Sequence, residues 1–177
     1  MVPVFHSRWV GGLAVYWWPK AASTAIIHVT LRLASFVGCH FPRIGATHAL
    51  HFPRLKQLVL YDVGFSNMDL ERLLAGYIVL EGLQLQGVHG LGSLRISSVS
   101  LWTIGVSCRW TSRPLEVLHD LVIEDVPCLN RLIVLDPVCP TTVTVIEAPQ
   151  LTVVGFMSTD SSRFVIGPVI IVVLIYI

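Results

Sequence analysis

Apolar residues recur along this chain in one short phrase. In Leu55-Lys56-Gln57-Leu58-Val59-Leu60 leucine holds the first, fourth and sixth positions, and Leu80-Glu81-Gly82-Leu83-Gln84-Leu85 repeats the phrase. Side chains of a strand alternate between its two faces, so this pattern predicts a strand buried on one face. Leu58 and Leu60 point one way, and Gln57 and Val59 the other. Looser copies start at Leu31, Leu101, Leu129 and Leu151, which makes the successive spacings 24, 25, 21, 28 and 22 residues. Pro53, Pro127 and Pro149 each stand two residues before the first leucine of a copy. A proline there is expected to start the strand, where its missing N–H breaks no ladder hydrogen bond.

Between the copies the pattern changes. After Leu60, Leu70, Leu73 and Leu74 fall at i, i+3 and i+4 and predict one short helix near Met68–Ala75. Ser66 is expected to be its N-cap with Asp69 as capping-box partner, and Gly76 a left-handed C-cap. The later connectors alternate instead. Leu94-Arg95-Ile96, Leu121-Val122-Ile123 and Val143-Thr144-Val145 are short and rich in β-branched residues, and they predict a second row of strands. A period near 24 carrying an L-x-x-L-x-L phrase is that of a leucine-rich repeat. The expected fold is therefore an α/β leucine-rich-repeat solenoid, strand-dominated. Its irregular repeats carry one convex helix first and convex strands later. The solenoid is assigned to residues 29–166, with 1–28 left unassigned and 167–177 an apolar tail.

Several phrases resemble a known family. They are Ala49-Leu50-His51-Phe52-Pro53-Arg54-Leu55-Lys56-Gln57-Leu58, Leu73-Leu74-Ala75-Gly76, Val79-Leu80-Glu81, Leu94-Arg95-Ile96-Ser97-Ser98, Leu121-Val122-Ile123-Glu124-Asp125 and Ala148-Pro149-Gln150-Leu151. Together they resemble the leucine-rich-repeat region of plant F-box/LRR proteins, the large grass set in particular. The resemblance implies a non-enzymatic protein–protein interaction module, the substrate-recognition part of a ubiquitin-ligase receptor. In that family an N-terminal F-box docks the ligase adaptor. Residues 1–30 contain no Leu-Pro-rich helical opening of that kind. The expectation is a repeat-only chain that does not dock the adaptor, and the alternative is a truncated gene fragment with no independent function.

Composition narrows the remaining classes. Twelve basic and eleven acidic residues give a net charge of +1, with no basic stripe for nucleic acid. The chain is 54% hydrophobic with a mean hydropathy of +0.72, which raises membrane association through the tail as a further alternative. The most apolar run, 164–177, is broken by Gly167-Pro168 and is too short for a spanning helix. Deleting residues 168–177 is expected to raise soluble yield, because an unpaired β-branched run promotes aggregation. Cys39, Cys108, Cys128 and Cys139 form no C-x-x-C pair and are expected to be reduced thiols of an intracellular protein. His48 and His51, with Cys39 and His40 upstream, match no metal-ligand spacing and are expected to be turn residues. Glu124, Asp125 and Asp136 are expected to be solvated residues at strand ends rather than a catalytic pair. No enzyme activity, cofactor or metal is expected.

Strand alternation then places a candidate surface. With the leucines turned inward, the third, fifth and seventh positions of each copy face out. These are Gln57, Val59 and Tyr61; Gly82, Gln84 and Gln86; Thr103, Gly105 and Ser107; Arg131, Ile133 and Leu135; and Val153, Gly155 and Met157. Gln57, Tyr61, Gln84, Gln86, Thr103, Ser107 and Arg131 are the predicted partner-binding residues, for a protein whose identity the sequence does not name. Gln57, Gln84, Thr103 and Arg131 are expected side by side and exposed, over buried Leu58, Leu83, Ile104 and Leu132. Trp102 is expected to serve packing at the rim.

Overall fold

The computed structural model describes residues 8–10, 13–16, 31–38, 52–107, 118–135, 142–156 and 163–167. The chain shuttles between two layers. The long sheet holds β1 (Arg8–Val10), β2 (Leu13–Tyr16), β3 (Leu33–Val37), β4 (Gln57–Tyr61), β5 (Gly82–Gln86), β7 (Thr103–Ser107), β9 (Arg131–Val134) and β11 (Val153–Phe156), in that spatial order. The opposite layer begins with helix α1 (Asn67–Ala75). It continues as a four-stranded sheet of β6 (Ser93–Ile96), β8 (Asp120–Glu124), β10 (Thr142–Ile146) and β12 (Arg163–Ile166). Apart from the β1–β2 hairpin, every pairing is parallel. Parallel neighbours one repeat apart are what a solenoid requires, because each unit can bury its apolar face only against the next. This is the strand-dominated leucine-rich-repeat solenoid that the spacing predicts, with a single helix among the described residues. Beyond the prediction, β1 and β2 from the unassigned N-terminal stretch extend the long sheet beside β3.

Register is kept from strand to strand. Leu58, Leu83, Ile104, Leu132 and Val154 form one cross-strand row, and Leu60, Leu85, Val106 and Val134 the next. All are buried, and they meet Leu94, Leu121 and Val143 and Ile96, Ile123 and Val145 from the second sheet in one continuous core. Each such side chain contributes about 1.5–3 kcal/mol when fully buried. A small, partly open cavity between the layers is lined by Leu85, Val88, Leu91, Leu94, Val106, Ser107 and Leu118.

Two backbone devices turn the chain at the ends of the long strands. Upstream, a tight turn precedes the strand: Leu55 N–H donates to the Phe52 carbonyl, Leu80 to Tyr77, Leu129 to Val126 and Leu151 to Ala148. Pro53, Pro127 and Pro149 occupy the second position of these turns, where a fixed φ near −65° is wanted. They do not start the strand, as their spacing predicted; β4, β9 and β11 begin four residues after their proline. Downstream, the residue after a strand is left-handed at Gly38, Asp62 and Gly87 in the long sheet, and likewise at Asp125 and Glu147 in the second, with φ of 51–61°. At three of these the N–H donates across to the neighbouring strand's last carbonyl, as from Asp62 to Gln86 at 2.8 Å.

Helix α1 differs at its ends from the sequence expectation. Ser66 is the N-cap residue, but its hydroxyl hydrogen-bonds the Asp69 carboxylate instead of capping a backbone N–H. Gly76 is right-handed, with φ −77° and ψ −12°. The helix tightens instead: Gly76 N–H reaches the Arg72 and Leu73 carbonyls, and Tyr77 N–H the Leu74 carbonyl. Tyr77 explains this exit. Its ring is buried and stacked on Phe52 at 6.1 Å, and it opens the turn that launches Leu80. Burial pushes its hydroxyl pKa up. Glu124, expected as a solvated end residue, is instead paired with Arg95 at 2.7 Å on the outer face of the second sheet.

Candidate functional site

The outward face of the long sheet from β4 to β11 gathers the predicted residues. Register sets Gln57, Gly82, Thr103, Arg131 and Val153 in one row. Val59, Gln84, Gly105, Ile133 and Gly155 form the second row, and Tyr61, Gln86 and Ser107 the third. None of these side chains is buried: Gln57, Tyr61, Gln84 and Arg131 are exposed, and Gln86, Thr103 and Ser107 are half-buried. Leu58, Leu83, Ile104 and Leu132 are buried beneath, as expected. Two details differ. Gln84 lies beside Val59 rather than Gln57, because Gly82 is the residue level with Gln57. Thr103 is half-buried rather than exposed. At β3 the same face closes, since Ser35, level with Val59, is buried. Met157, the Cys39–His51 cluster, Asp136 and the tail at 168–177 lie outside the described residues.

The sequence reading omitted a whole row. At the second position of each copy stand Arg32, Lys56, Glu81, Trp102, Asn130 and Thr152. The carbonyl of each of the first five accepts two N–H groups from the next repeat, as Trp102 does from Asn130 at 2.9 Å and Arg131 at 3.1 Å. This forked ladder bends the chain just before the strand, so second and third positions both reach solvent. Strict alternation would have sent the second position inward. Lys56 pairs with Glu81 along the row, and Asn130 donates to the Thr152 hydroxyl at 2.9 Å.

Trp102 and Arg131 are brought together by the same fork. The Arg131 N–H is itself one of the two that donate to the Trp102 carbonyl, and the Arg131 guanidinium sits 5.6 Å from the Trp102 ring centroid. The ring is 49% exposed, so Trp102 is a surface residue at the upstream edge of the sheet. The signal was present in the sequence, since Trp102 shares the phase of Lys56 and Glu81. Leu135, 47% exposed, continues the apolar strip below Ile133. Gly105 and Gly155 leave the middle of the face low. A Cβ on Gly105 would meet only the Gln84 Cγ, at 3.9 Å.

Charge runs along the strand direction. The outward positions from β3 to β11 hold Arg32, Lys56 and Arg131 against Glu81 alone, all four at or next to the upstream edge. Asp62 lies at the downstream edge, its Oδ1 3.8 Å from the Nδ1 of His89. Among the described residues no group of three or more His, Cys, Asp or Glu side chains could hold a metal ion, and no helix is long and apolar enough to cross a membrane. Cys128 is a free, half-buried thiol in the turn before β9.

Comparison with known proteins gives one result. The family model described as FBD-associated F-box protein At5g56370, LRR repeats, matches residues 13–176, nearly the whole chain. No curated protein and no solved structure matches it significantly.

Proposed function

This chain belongs to the leucine-rich-repeat family of FBD-associated F-box proteins, and we propose that the outward face of its long sheet is a protein-recognition surface. In this reading it acts inside the cell, in the manner of the substrate-recognition repeats of an F-box ubiquitin-ligase receptor, with no enzymatic chemistry of its own. The observation that carries the reading is the composition of the face. Tyr61, Trp102 and Arg131 are exposed on one side of a rigid sheet, and aromatic and arginine residues dominate binding hot spots. Hydrogen-bonding Gln57, Gln84, Gln86, Thr103 and Ser107 fill the space between them. A sheet with an apolar inner face needs only solvent on its other side, so this arrangement is not demanded by folding.

Site-directed photocrosslinking tests it. A crosslinking amino acid replaces Gln84 on the proposed face, and in a second protein Thr144 on the outer face of the second sheet. The expected result is a discrete crosslinked partner in cell extract from position 84 and none from position 144. Tyr61→Ala and Arg131→Ala should each weaken that crosslink while leaving the circular dichroism unchanged. Equal crosslinking from both faces would overturn the reading.

A further inference from the structure

The protein-recognition reading leaves open what the surface grips, and the Arg131–Trp102 pair narrows it. We propose that this pair is the anchor for an acidic segment of a protein partner. An aspartate or glutamate side chain would bind the Arg131 guanidinium, and a neighbouring apolar side chain would pack on the open ring of Trp102 and the Ile133–Leu135 strip.

Charge complementarity carries the proposal. The other described cations with a carboxylate beside them are satisfied within the chain: Lys56 by Glu81 and Arg95 by Glu124. Arg131 makes no ion pair among the described residues. Its cross-strand neighbours are Thr103 and Val153, and residue 133 beyond it on the same face is isoleucine. The nearest polar residues of the second-position row, Asn130 and Thr152, are neutral and bonded to each other. Arg131 is thus an exposed cation with no carboxylate paired to it among the described residues. Its position is also set in advance. The forked carbonyl of Trp102 holds the Arg131 backbone, and the ring faces the guanidinium. A cation–π contact of this kind engages the charge of a guanidinium without using up its N–H groups, which stay available for bidentate contact with a carboxylate. Less side-chain freedom is lost on binding when the group is already positioned. Arg32 extends the positive edge, and Asp62 at the far edge disfavours the opposite orientation of an acidic segment.

The test uses the full chain and a phage-displayed library of random linear peptides. Enriched peptides should carry Asp or Glu beside an apolar or aromatic residue. Their dissociation constants should rise about thirtyfold or more with Arg131→Gln and with Trp102→Ala, as for residues that anchor an interface, and binding should weaken with salt. Arg131→Glu should abolish binding, and replacing the peptide's acid by lysine should restore it. Circular dichroism verifies that each variant is folded. Gly105→Leu, whose Cβ would meet only the Gln84 side chain, gives a second measure by blocking the face sterically. Enriched peptides that lack an acid, or that bind Arg131→Glu as well as the wild type, overturn the proposal. So does binding only of a phosphorylated copy. If the enriched peptides depend on Tyr61 and Gln84 but ignore Arg131, this anchor alone fails. If none depends on any outward residue, the protein-recognition reading of the face fails with it.

Discussion

The long sheet and the layer behind it alternate along one chain, yet they are built differently. Along the long sheet the same devices recur: a tight turn before β4, β5, β9 and β11, a forked carbonyl linking each strand from β3 to the next, and a left-handed corner after β3, β4 and β5. Its inward rows run from Leu58 to Val154 without a break in register. The opposite layer starts as α1 and becomes β6, β8, β10 and β12. Leu70, Leu73 and Leu74 bury one side of a helix, whereas Leu94 with Ile96 and Leu121 with Ile123 bury one side of a strand. Both present apolar groups to the same interior. A leucine-rich repeat therefore demands a strand in the long-sheet layer but only an apolar face in the other. Irregularity collects where the demand is weaker.

Substitutions in the two cores probe that difference most strongly. Ile104 in β7 and Ile123 in β8 are both fully buried, and replacement of either by alanine should cost about 3 kcal/mol. Urea unfolding should show one shared transition for both. A cost below about 1 kcal/mol for Ile123→Ala, with a transition of its own, would show that the layers do not share one cooperative core.

The helix-bearing repeat has a pH response. Tyr77 is buried in its neutral form, and its pKa is raised from 10.0 by that burial. Above pH 10 the unfolded chain loses this proton while the folded chain keeps it, so stability falls as pH rises. The slope should approach about 1.4 kcal/mol per pH unit. Urea midpoints between pH 8 and 11 check this, and Tyr77→Phe should remove this component of the slope.

The corners supply a gain. Glu147 is held at φ 56° after β10, where a side chain is strained and glycine is not. Glu147→Gly should raise stability by about 1 kcal/mol, read as a higher thermal midpoint. Gly38 and Gly87 already occupy the equivalent corners after β3 and β5.

The surface contributes least. Lys56 and Glu81 are about half exposed, and an ion pair of that kind is worth about 0.5 kcal/mol. Lys56→Ala should therefore move the urea midpoint only slightly. A larger loss would mean that the second-position row holds the long sheet together rather than merely decorating it.

The repeat spacing, the buried leucines, the helix at Asn67–Ala75 and the switch to strands behind it were all legible in the sequence. Each rests on a periodicity that local backbone geometry imposes, 2 for strands and 3.6 for helices. The outward positions of the predicted face followed from the same rule. What needed the structure was everything set between repeats. The bend before each strand comes from a carbonyl shared with the next repeat, and this turned Lys56, Glu81 and Trp102 outward against simple alternation. Register made Gly82 and not Gln84 the neighbour of Gln57. The burial of Tyr77 against Phe52 gave the helix a right-handed exit where Gly76 alone suggested a left-handed one. The contact between Arg131 and Trp102 joins residues of different repeats. Local preference fixes how a segment folds, but which side chains meet depends on how neighbouring repeats are bonded, and only the tertiary structure decides that.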